Sequence, residues 1–595
     1  MPHIDEADKD KTKKTRFGLG RLFRYASFVN GTLAGGLTLT VITVILDLAG
    51  PYFVSRILNQ ELIEGVGARD NSVFFLIIGF YVATILASLV TRYGGTVLNN
   101  MASNRISRIL QRQIFHHVQK MPMTYFDNLA AGSVVSRVTN DTKAVRVFFN
   151  TVLSQLLMAC VYAVSILISL LVLDVRLFLI AALSFPALFF LFRDFQRKSL
   201  KHSRASRRGI SLINANLNEN IQGIEIIQTF GRERSMYDRF AEINNRVFYN
   251  SLSITRLHSY SGGNATEVIN YLLLAVALLY FGYGNITRAY IVPLGSLYLF
   301  IDYMIRFFSQ MNRAMNHLGN LERARGAADH IFELLEQEPL DESGNVPSQA
   351  NGHVEFDHVT FSYKPEEIVL RDVSFAIPQG QTAAFVGQTG AGKSTLMNLL
   401  FSFYKPQKGQ ICVDGVDLSL LDKKALRRHM AIVTQEPFLF TGTIESNITL
   451  NRPDLTAEDA RDAMCEVGGS EFLARLPKGI KTPVRERGNE FSSGERQLIS
   501  FARALAQDPT ILILDEATSH IDTETEEIIQ RGIRRLSEGR TTLIIAHRLS
   551  TIHHAHTIYV LDQGEIVEKG SYDELMEKQG LFEHMVKTQA HSAGA

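Results

Sequence analysis

The first half of the chain alternates between long apolar stretches and strongly basic ones. Six stretches approach the roughly 20 apolar residues that a helix needs to cross a bilayer. The first is too long for the core of a cleavable signal peptide, so we expect it to stay in the membrane. The predicted spans are 33–57, 73–96, 148–172, 176–195, 266–287 and 291–311. The pattern therefore predicts a membrane domain of six long helices.

The basic residues predict how these spans are oriented. Lys and Arg crowd residues 1–24, 92–146 and 193–256, whereas the short connector at 58–72 is acidic. Basic loops stay on the cytoplasmic side of a membrane. We therefore predict a multi-pass protein of the cell membrane with both termini in the cytoplasm. Residues 17–26 are predicted to form an amphipathic helix on the cytoplasmic surface.

The connections after spans 2 and 4 are much longer than a turn requires. Both repeat apolar residues at helical spacing and contain few Gly or Pro. We predict that the spans continue into the cytoplasm as long helices, with turns near 122–130 and 218–228. Helices that project this far could contact a cytoplasmic domain, whereas long surface loops are the alternative.

Two acidic residues, Asp47 and Asp302, lie well within predicted spans, away from the span ends. A charge at this depth costs about 2.5–3.5 kcal/mol on insertion scales, so each is expected to face a cavity or a partner. Asp302 can pair with Arg306, one helical turn away. Asp47 has no partner nearby in sequence. An interhelical hydrogen bond and a cavity-lining role, toward cargo or a proton, are both open for it.

From Val354 onward the pattern changes to short β-branched strands separated by turns, which is typical of a soluble α/β domain. The predicted fold class is an all-α membrane domain fused to an α/β domain with a phosphate-binding loop. The predicted segments are an N-terminal cytoplasmic one at 1–32, the transmembrane domain at 33–325, a linker at 326–352 and the α/β domain at 353–590.

Composition narrows the function classes. The net charge of +1 gives no sign of a nucleic-acid partner. Three cysteines, Cys160, Cys412 and Cys465, cannot form a disulfide framework.

The α/β domain contains a complete phosphate-binding motif. Phe385 and Val386 end an apolar run and precede a sequence of the form G-x-x-x-x-G-K-[ST]. Glycines let backbone N–H groups curl around phosphate oxygens, Lys393 would reach the β- and γ-phosphates, and Ser394 would bind Mg²⁺. The nucleotide-binding residues predicted here are Gly387, Gln388, Thr389, Gly390, Ala391, Gly392, Lys393, Ser394 and Thr395.

Further candidates follow the ends of three other apolar strands. Ile511 to Leu514 precede Asp515 and Glu516, and the strand ends of an open α/β sheet are where such folds place their chemistry. Asp515 would hold Mg²⁺, and Glu516 would act as general base toward water. Gln435 and His547 each follow another apolar strand. We predict that both point toward the γ-phosphate, with Gln435 also near the metal.

These motifs resemble those of ATP-binding cassette (ABC) transporters, and the resemblance covers nearly the whole chain. The segment Phe491 to Gln497 (FSSGERQ) resembles the family's LSGGQ signature. Tyr363 matches the aromatic residue that stacks on adenine, Gln435 the Q-loop and His547 the switch histidine. The remaining matches are the D-loop at 519–522, the exporter X-loop at 482–488 with Glu486 facing the coupling helices, and the first intracellular loop of multidrug-resistance-type exporters at 125–141.

The resemblance implies an ATP hydrolase coupled to transport, with ATP and Mg²⁺ as cofactors. In this family two cassettes close head to tail, and each ATP lies between one chain's P-loop and the other chain's signature. One cassette and six spans make half of such a machine, so a second half-transporter is expected as partner. The signature residues that would contact its ATP are Ser492, Ser493, Gly494 and Glu495.

This chain departs from the family pattern in its signature. Ser493 stands where the pattern has Gly, and Glu495 where it has Gln. The added Cβ and the added charge should weaken ATP contacts, whereas the P-loop, Glu516 and His547 are intact. In the heterodimeric branch of the family one site is competent and the other degenerate. We therefore expect a different partner chain that carries a normal signature. Ser519-His520 is a second departure, to which we assign no meaning.

The expected cargo is an amphipathic drug or lipid, taken from the lipid bilayer. A dedicated flippase for peptides or lipid precursors would use the same machinery with a more polar cavity. A non-transporting, ATP-gated member is a third possibility, against which the intact Glu516 argues. An importer is disfavoured because its membrane domain is normally a separate chain.

Overall fold

The computed structural model describes residues 18–60, 71–127, 131–257, 259–260, 263–287, 293–340, 344, 351–364, 366–515, 523–546 and 552–593. The chain divides into two compact units. The helical unit comprises Met1–Lys120 and Ala130–Glu338, and the α/β unit comprises Met121–Leu129 and Pro339–Ala595. The short segment between residues 121 and 129 thus groups with the C-terminal unit.

The chain up to residue 335 is almost entirely helical where it is described. Two short π-helical stretches, Arg137–Asp141 and Phe148–Val152, separate α5, α6 and α7. The α-helices are α1 (Gly18–Ala26), α2 (Asn30–Gln60), α3 (Asn71–Gln119), α4 (Met123–Asp127), α5 (Ala131–Ser136), α6 (Thr142–Val147), α7 (Leu153–Leu173), α8 (Val175–Ala182), α9 (Ser184–Gln222), α10 (Ile224–Thr229), α11 (Glu233–Leu257), α12 (Gly263–Thr287) and α13 (Leu294–Leu335). Of these, α4 belongs to the α/β unit.

Five described stretches are helical, long enough and apolar enough to cross a membrane. They are Gly20–Asn59, Ser72–Gln119, Gly132–Leu173, Val175–Gln222 and Asn264–Thr287. Each contains one of the first five predicted spans. The sixth, 291–311, begins outside the described residues and continues in α13, which is not among the five. Its charged residues Asp302 and Arg306 lower its hydropathy and explain why its signal is weaker.

The prediction that the two long connections are helical is confirmed. Helix α3 runs without interruption to Gln119, and α9 runs to Gln222. After a bend at Gly223, α10 extends the second connection, and Gly231, with a φ of +58°, lies in the turn before α11. This turn therefore lies slightly beyond the predicted position near 218–228.

Aromatic residues of α13 form the centre of the helical unit. Phe300, Tyr303 and Phe307 are buried and belong to one apolar cluster with Leu170 of α7 and Leu177 of α8. Burying each such side chain contributes on the order of 2 kcal/mol in water, and the same close packing holds helices together in lipid.

Asp47 and Asp302, which lie well within predicted spans, both have partners. Arg306 donates to Asp302 at 2.5 Å, as the sequence predicted. Asp47, which has no local partner, accepts hydrogen bonds from Arg92 of α3 at 2.6 Å and from the Tyr162 hydroxyl of α7 at 2.9 Å. The interhelical hydrogen bond considered for Asp47 is therefore present, and because Asp47 also lines a cavity the two alternatives do not exclude each other.

The α/β unit contains two larger sheets. One has the strand order β2-β1-β4-β5, and the other has the order β12-β11-β3-β10-β9-β6. The strands are β1 (Val354–Lys364), β2 (Glu367–Ile377), β3 (Thr382–Gly387), β4 (Lys408–Val413), β5 (Val416–Asp417), β6 (Met430–Val433), β7 (Gly442–Thr443), β8 (Pro483–Val484), β9 (Ile511–Asp515), β10 (Thr541–Ile545), β11 (Thr557–Asp562) and β12 (Glu565–Gly570). Its helices after β3 are α14 (Lys393–Leu400), α15 (Lys423–Arg427), α16 (Ile444–Thr449), α17 (Ala457–Glu466), α18 (Ser470–Arg475), α19 (Ser493–Ala506), α20 (Thr523–Ser537), α21 (Tyr572–Glu577) and α22 (Leu581–Ala593).

The second sheet determines where the chemistry lies. Strands β11, β3, β10, β9 and β6 are parallel neighbours, and only β12 pairs antiparallel at the edge. Strands β3 and β10 are buried along their whole length, as the near-continuous apolar runs in the sequence predict. Their carboxyl ends therefore meet at one edge of the sheet.

Candidate functional site

The loop after β3 has the shape of a phosphate cradle. Gly390 and Gly392 have φ angles of +90° and +101°, which side chains rarely tolerate. A Cβ on Gly392 would also lie 2.6 Å from the Leu370 side chain. The loop can therefore close in this form only with glycine at this position.

The residues after this loop begin α14, whose N-terminus faces the cradle. Gly392 is the N-cap and supplies no side-chain cap, so no side-chain oxygen of the cap covers the first amides of α14. Lys393 is 6% exposed, and its Nζ donates to the carbonyl oxygens of Gly387 at 2.7 Å and Gln388 at 3.0 Å. Ser394 is exposed in the first turn. Uncapped amides beside a lysine are suited to an anion such as phosphate.

The sheet brings two further predicted residues to this edge. Ile545 pairs with Phe385 of β3 on one side and with Asp515 of β9 on the other. Strand β6 runs beside β9 with Val433 opposite Leu514, and the exposed Gln435 follows two residues later. Asp515 and Gln435 therefore lie at the carboxyl edge of the sheet that also carries the P-loop.

Tyr363, the predicted adenine-stacking residue, is tied to the P-loop helix. Its hydroxyl lies 3.3 Å from Thr395 Oγ1 and accepts a hydrogen bond from Asn398 Nδ2 at 3.0 Å. The side chain is 45% exposed, so one face of the ring is open. An open aromatic face anchored beside the P-loop is what adenine stacking requires.

The signature segment begins α19 with its own internal cap. The Ser492 Oγ accepts from the Glu495 amide at 3.2 Å, and the Glu495 carboxylate accepts from the Ser492 amide at 2.8 Å. Arg475 approaches the same carboxylate at 3.7 Å. From the sequence, the negative charge of Glu495 is expected near the triphosphate. In the structure this carboxylate is directed back to the helix start and has a cationic neighbour.

Several predicted residues lie outside the described part of the chain. These are Glu516, His547 and the D-loop at 519–522. Their roles remain predictions from the sequence. In the described part of the X-loop, Pro483–Val484 forms β8 and Glu486–Gly488 forms a turn of 3₁₀-helix.

Comparison with known families accounts for both units. The ABC transporter transmembrane region matches residues 33–311, and the family described as ABC transporter matches residues 370–519. A probable multidrug resistance ABC transporter ATP-binding/permease protein of Bacillus subtilis, YheH, is 42% identical over 544 residues, which is 91% of this chain and 81% of the relative. The chain belongs to the ABC transporter family.

Other relatives of this ABC transporter differ in the cargo that their names state. A fatty acid ABC transporter ATP-binding/permease protein of Mycobacterium tuberculosis is 33% identical over 540 residues, covering 90% of this chain and 84% of the relative. The solved structure of a bacterial Atm1-family ABC exporter with ATP bound has a TM-score of 0.82 at 26% identity, covering 95% of this chain and all of that one. The ABC transporter thus has the exporter fold, and its ATP-binding domain implies ATPase activity coupled to transport.

Tyr404 lies beside the predicted adenine site, and the sequence alone did not identify it as a site residue. Its hydroxyl donates to Asp127 of α4 at 2.7 Å, and its ring stands edge-on to the Tyr363 ring at 5.0 Å. Partial burial and then the Asp127 carboxylate raise the pKa of Tyr404, so the phenol remains a proton donor at neutral pH. Helix α4, which belongs to the α/β unit, is therefore joined to the predicted adenine site through two aromatic rings.

Arg503 is a second residue that sequence reasoning missed. It lies on α19, and its guanidinium donates to the carbonyl oxygens of Asn447 at 2.8 Å and Phe438 at 3.0 Å. Burial lowers the pKa of Arg503, yet these acceptors satisfy its donors. The arginine ties the signature helix to the segment that follows Gln435. Its only sequence signal is a basic residue on an apolar helix face.

Proposed function

We propose that this chain is one half of an ATP-driven exporter that moves amphipathic compounds, drugs or lipids, across the cell membrane by alternating access. The observation that carries the proposal is the combination of membrane-spanning helices with a P-loop in one chain. Names of relatives that state multidrug resistance or fatty acid transport support the cargo class. The basic cytoplasmic stretches support an ATP-binding domain inside the cell.

The residues of the site fit an Mg²⁺-bound ATP. Uncapped amides at α14 and the Lys393 ammonium would hold the phosphates, and Ser394, Gln435 and Asp515 would supply oxygen ligands, which Mg²⁺ prefers. Bound Mg²⁺ would neutralise charge on the phosphate oxygens. Tyr363 would bind the base through its open ring face. Glu516 would accept a proton from water, and His547 would position the γ-phosphate.

Substitution of Glu516 tests the coupling of hydrolysis to export. Glu516→Gln keeps the shape of the side chain but removes the base. We expect ATP turnover and vesicle transport of a lipophilic dye to fall at least about 100-fold, with ATP affinity within about 2-fold of the original. Transport that survives this substitution would falsify the proposed coupling. The matched control is Glu527→Gln on α20, outside the proposed site.

We further propose that the natural partner is a different chain. This chain supplies the intact Walker residues, and the partner supplies a normal signature. We base this proposal on Ser493 more than on Glu495. The Glu495 carboxylate already accepts a hydrogen bond from the Ser492 amide and has Arg475 as a neighbour. A Gln at this position would make the same capping box. We therefore assign the defect chiefly to Ser493, whose Cβ stands in the first turn of α19.

Repair of the signature separates the two substitutions. If the chain alone forms dimers with two poor signatures, Ser493→Gly should raise their ATPase about 10-fold. Glu495→Gln should raise it by less than about 2-fold, since the charge is already engaged. The assay is ATP turnover of the purified chain in lipid nanodiscs. High, cargo-stimulated turnover of the unmodified chain alone would contradict the need for a different partner.

A further inference from the structure

The helical unit contains a cavity of about 260 Å³ beside Asp47. Helix α2 contributes Asp47, α3 contributes Tyr81, Thr84 and Ser88, and α13 contributes Tyr298 and Arg306. Pockets for whole drug-sized molecules hold roughly 300–1,000 Å³. The cavity is therefore suited to the polar head of a larger molecule, not to an entire one.

The two charged groups of the cavity have unused hydrogen-bonding capacity. Among the described residues, the hydrogen-bond partners of Asp47 are Arg92 and Tyr162, and both bind the same oxygen, Oδ2, which leaves Oδ1 available. Arg306 uses Nε and, at 3.5 Å, Nη2 toward Asp302, which leaves Nη1 available. A ligand in the cavity could therefore bind both atoms without breaking either ion pair.

The cavity also presents two free phenol groups. Thr84 and Ser88 direct their hydroxyls back to carbonyl oxygens of α3. Within the part of the chain that the structure describes, the hydroxyls of Tyr81 and Tyr298 make no hydrogen bond, although both rings line the cavity. Aromatic faces near a carboxylate attract ammonium groups, and phenols donate to anionic oxygens.

Charge balance indicates what kind of ligand this cavity would take. Among the described residues, Asp47 and Arg306 are the charged side chains that line the cavity, and each is paired with an opposite charge, Arg92 and Asp302, so the four charges sum to zero. A bound ion of either sign would leave an uncompensated charge within the predicted spans, where it is costly. A ligand that carries one positive and one negative group preserves neutrality.

We propose that this cavity binds the zwitterionic head of an amphipathic cargo, with Asp47 and the tyrosine rings at its ammonium and Arg306 at its phosphate or carboxylate. The assignment rests on the proposed export function and deepens it by naming the cargo's head. The apolar tail would lie outside the cavity, along the lipid-facing helices. Asp47 and Arg306 are then specificity-determining residues for cargo.

Equilibrium binding measured without ATP tests the assignment of the cavity to a zwitterionic head independently of export. The three probes share a dansyl-labelled 12-carbon tail and carry a phosphoethanolamine, a phosphate or a trimethylammonium head. The full-length protein is reconstituted in nanodiscs. We expect the zwitterionic probe to bind at least about 5-fold more tightly than the other two. A probe order led by the anion or the cation would overturn the proposal. Because the binding assay contains no ATP, survival of transport in Glu516→Gln, which would contradict the export proposal, would leave this result untouched.

Substitutions of the two charged residues distinguish recognition from folding. Asp47→Asn should weaken the zwitterionic and cationic probes at least about 5-fold and spare the anionic one. Arg306→Gln should weaken the zwitterionic and anionic probes at least about 5-fold and spare the cationic one. An equal loss for all three probes would mean that these residues only support the fold, and would overturn the proposal. Asp194→Asn is the control, because Asp194 pairs with Lys198 at an exposed site of α9.

A tail-free competitor distinguishes a lipid-like cargo from a soluble zwitterion. Phosphoethanolamine without a tail should displace the zwitterionic probe at least about 100-fold less effectively than its tailed form, because the buried hydrocarbon contributes to binding. Equal displacement by both would assign the cavity to soluble zwitterions and overturn the amphipathic assignment.

Discussion

The P-loop and the signature segment each lie at the start of a helix. They differ in whether side chains accept hydrogen bonds from the first backbone amides of that helix. At α14 the N-cap is Gly392, which offers no side chain, and glycines with positive φ shape the preceding turn. At α19 the cap is Ser492, and Ser492 and Glu495 satisfy each other's amides. The first arrangement leaves donors for an anion, whereas the second uses part of its capacity within the chain.

The capping box alone does not set this signature apart from the family pattern, because Gln at position 495 would form the same box. Each helix start is a potential anion site because its first amides lack intrahelical partners. Lys393 adds positive charge at α14, whereas Glu495 adds a carboxylate at α19, partly offset by Arg475. The two helix starts therefore differ in local charge, with a cation at the P-loop and a carboxylate at the signature.

The largest expected effect comes from Lys393. Lys393→Ala removes the cation from the P-loop and should lower ATP turnover at least about 100-fold, as loss of a transition-state donor does. The comparison substitution is Arg475→Ala beside the signature, which should lower turnover by less than about 3-fold. Measured ATPase rates of similar size for both variants would break the contrast between the two helix starts.

Arg503 is expected to have the next largest effect, through the stability of the signature helix. Arg503→Ala leaves the carbonyl oxygens of Asn447 and Phe438 without their donor and should cost about 2 kcal/mol. The thermal midpoint of the ATP-bound protein should fall by several degrees. Arg503→Lys keeps the charge but reaches fewer acceptors, so its thermal midpoint should lie between those of the unmodified protein and Arg503→Ala. An unchanged midpoint for the alanine variant would show that the guanidinium does not hold α19.

A smaller effect is expected from the hydrogen bond between Tyr404 and Asp127 of α4. Tyr404→Phe removes the hydrogen bond to Asp127 but keeps the ring against Tyr363. Loss of one charge-assisted hydrogen bond of about 1 kcal/mol should reduce cargo stimulation of the ATPase about 5-fold. ATP affinity should change by less than about 2-fold because the ring remains.

The matching change on the other side of this contact is Asp127→Asn. Its amide oxygen still accepts the hydrogen bond, so stimulation should fall less than in Tyr404→Phe. If cargo still stimulates the ATPase of Tyr404→Phe to the normal extent, the hydrogen bond between Tyr404 and Asp127 does not contribute to coupling.

Much of the fold and of the P-loop follows from local sequence patterns. The first five spans, the strands ending at Val433 and Asp515, and the glycine-rich loop after β3 all depend on runs of neighbouring residues. The sixth span gave a weaker signal because Asp302 and Arg306 interrupt its apolar run. These charges form an ion pair within one helical turn, which the sequence did predict.

Contacts between distant residues could not be predicted in the same way. Asp47 is 45 residues from Arg92 and 115 from Tyr162, and Tyr404 is 277 residues from Asp127. Helix rotation determines which of these side chains meet, and hydropathy does not fix rotation. The position of Glu495 is different, because Ser-x-x-Glu is a capping-box pattern that the sequence already contained.

The most direct test of a P-loop that depends on another chain's signature uses mixed dimers of two tagged copies. One copy is unmodified, and the other carries Glu516→Gln with the signature repaired by Ser493→Gly and Glu495→Gln. The account predicts ATP turnover in this dimer, since one site combines an intact Glu516 with a repaired signature. The control dimer places the repaired signature on the copy with Glu516 and the native signature on the Glu516→Gln copy. It should turn over at least about 10-fold more slowly, and equal rates in the two dimers would contradict the account.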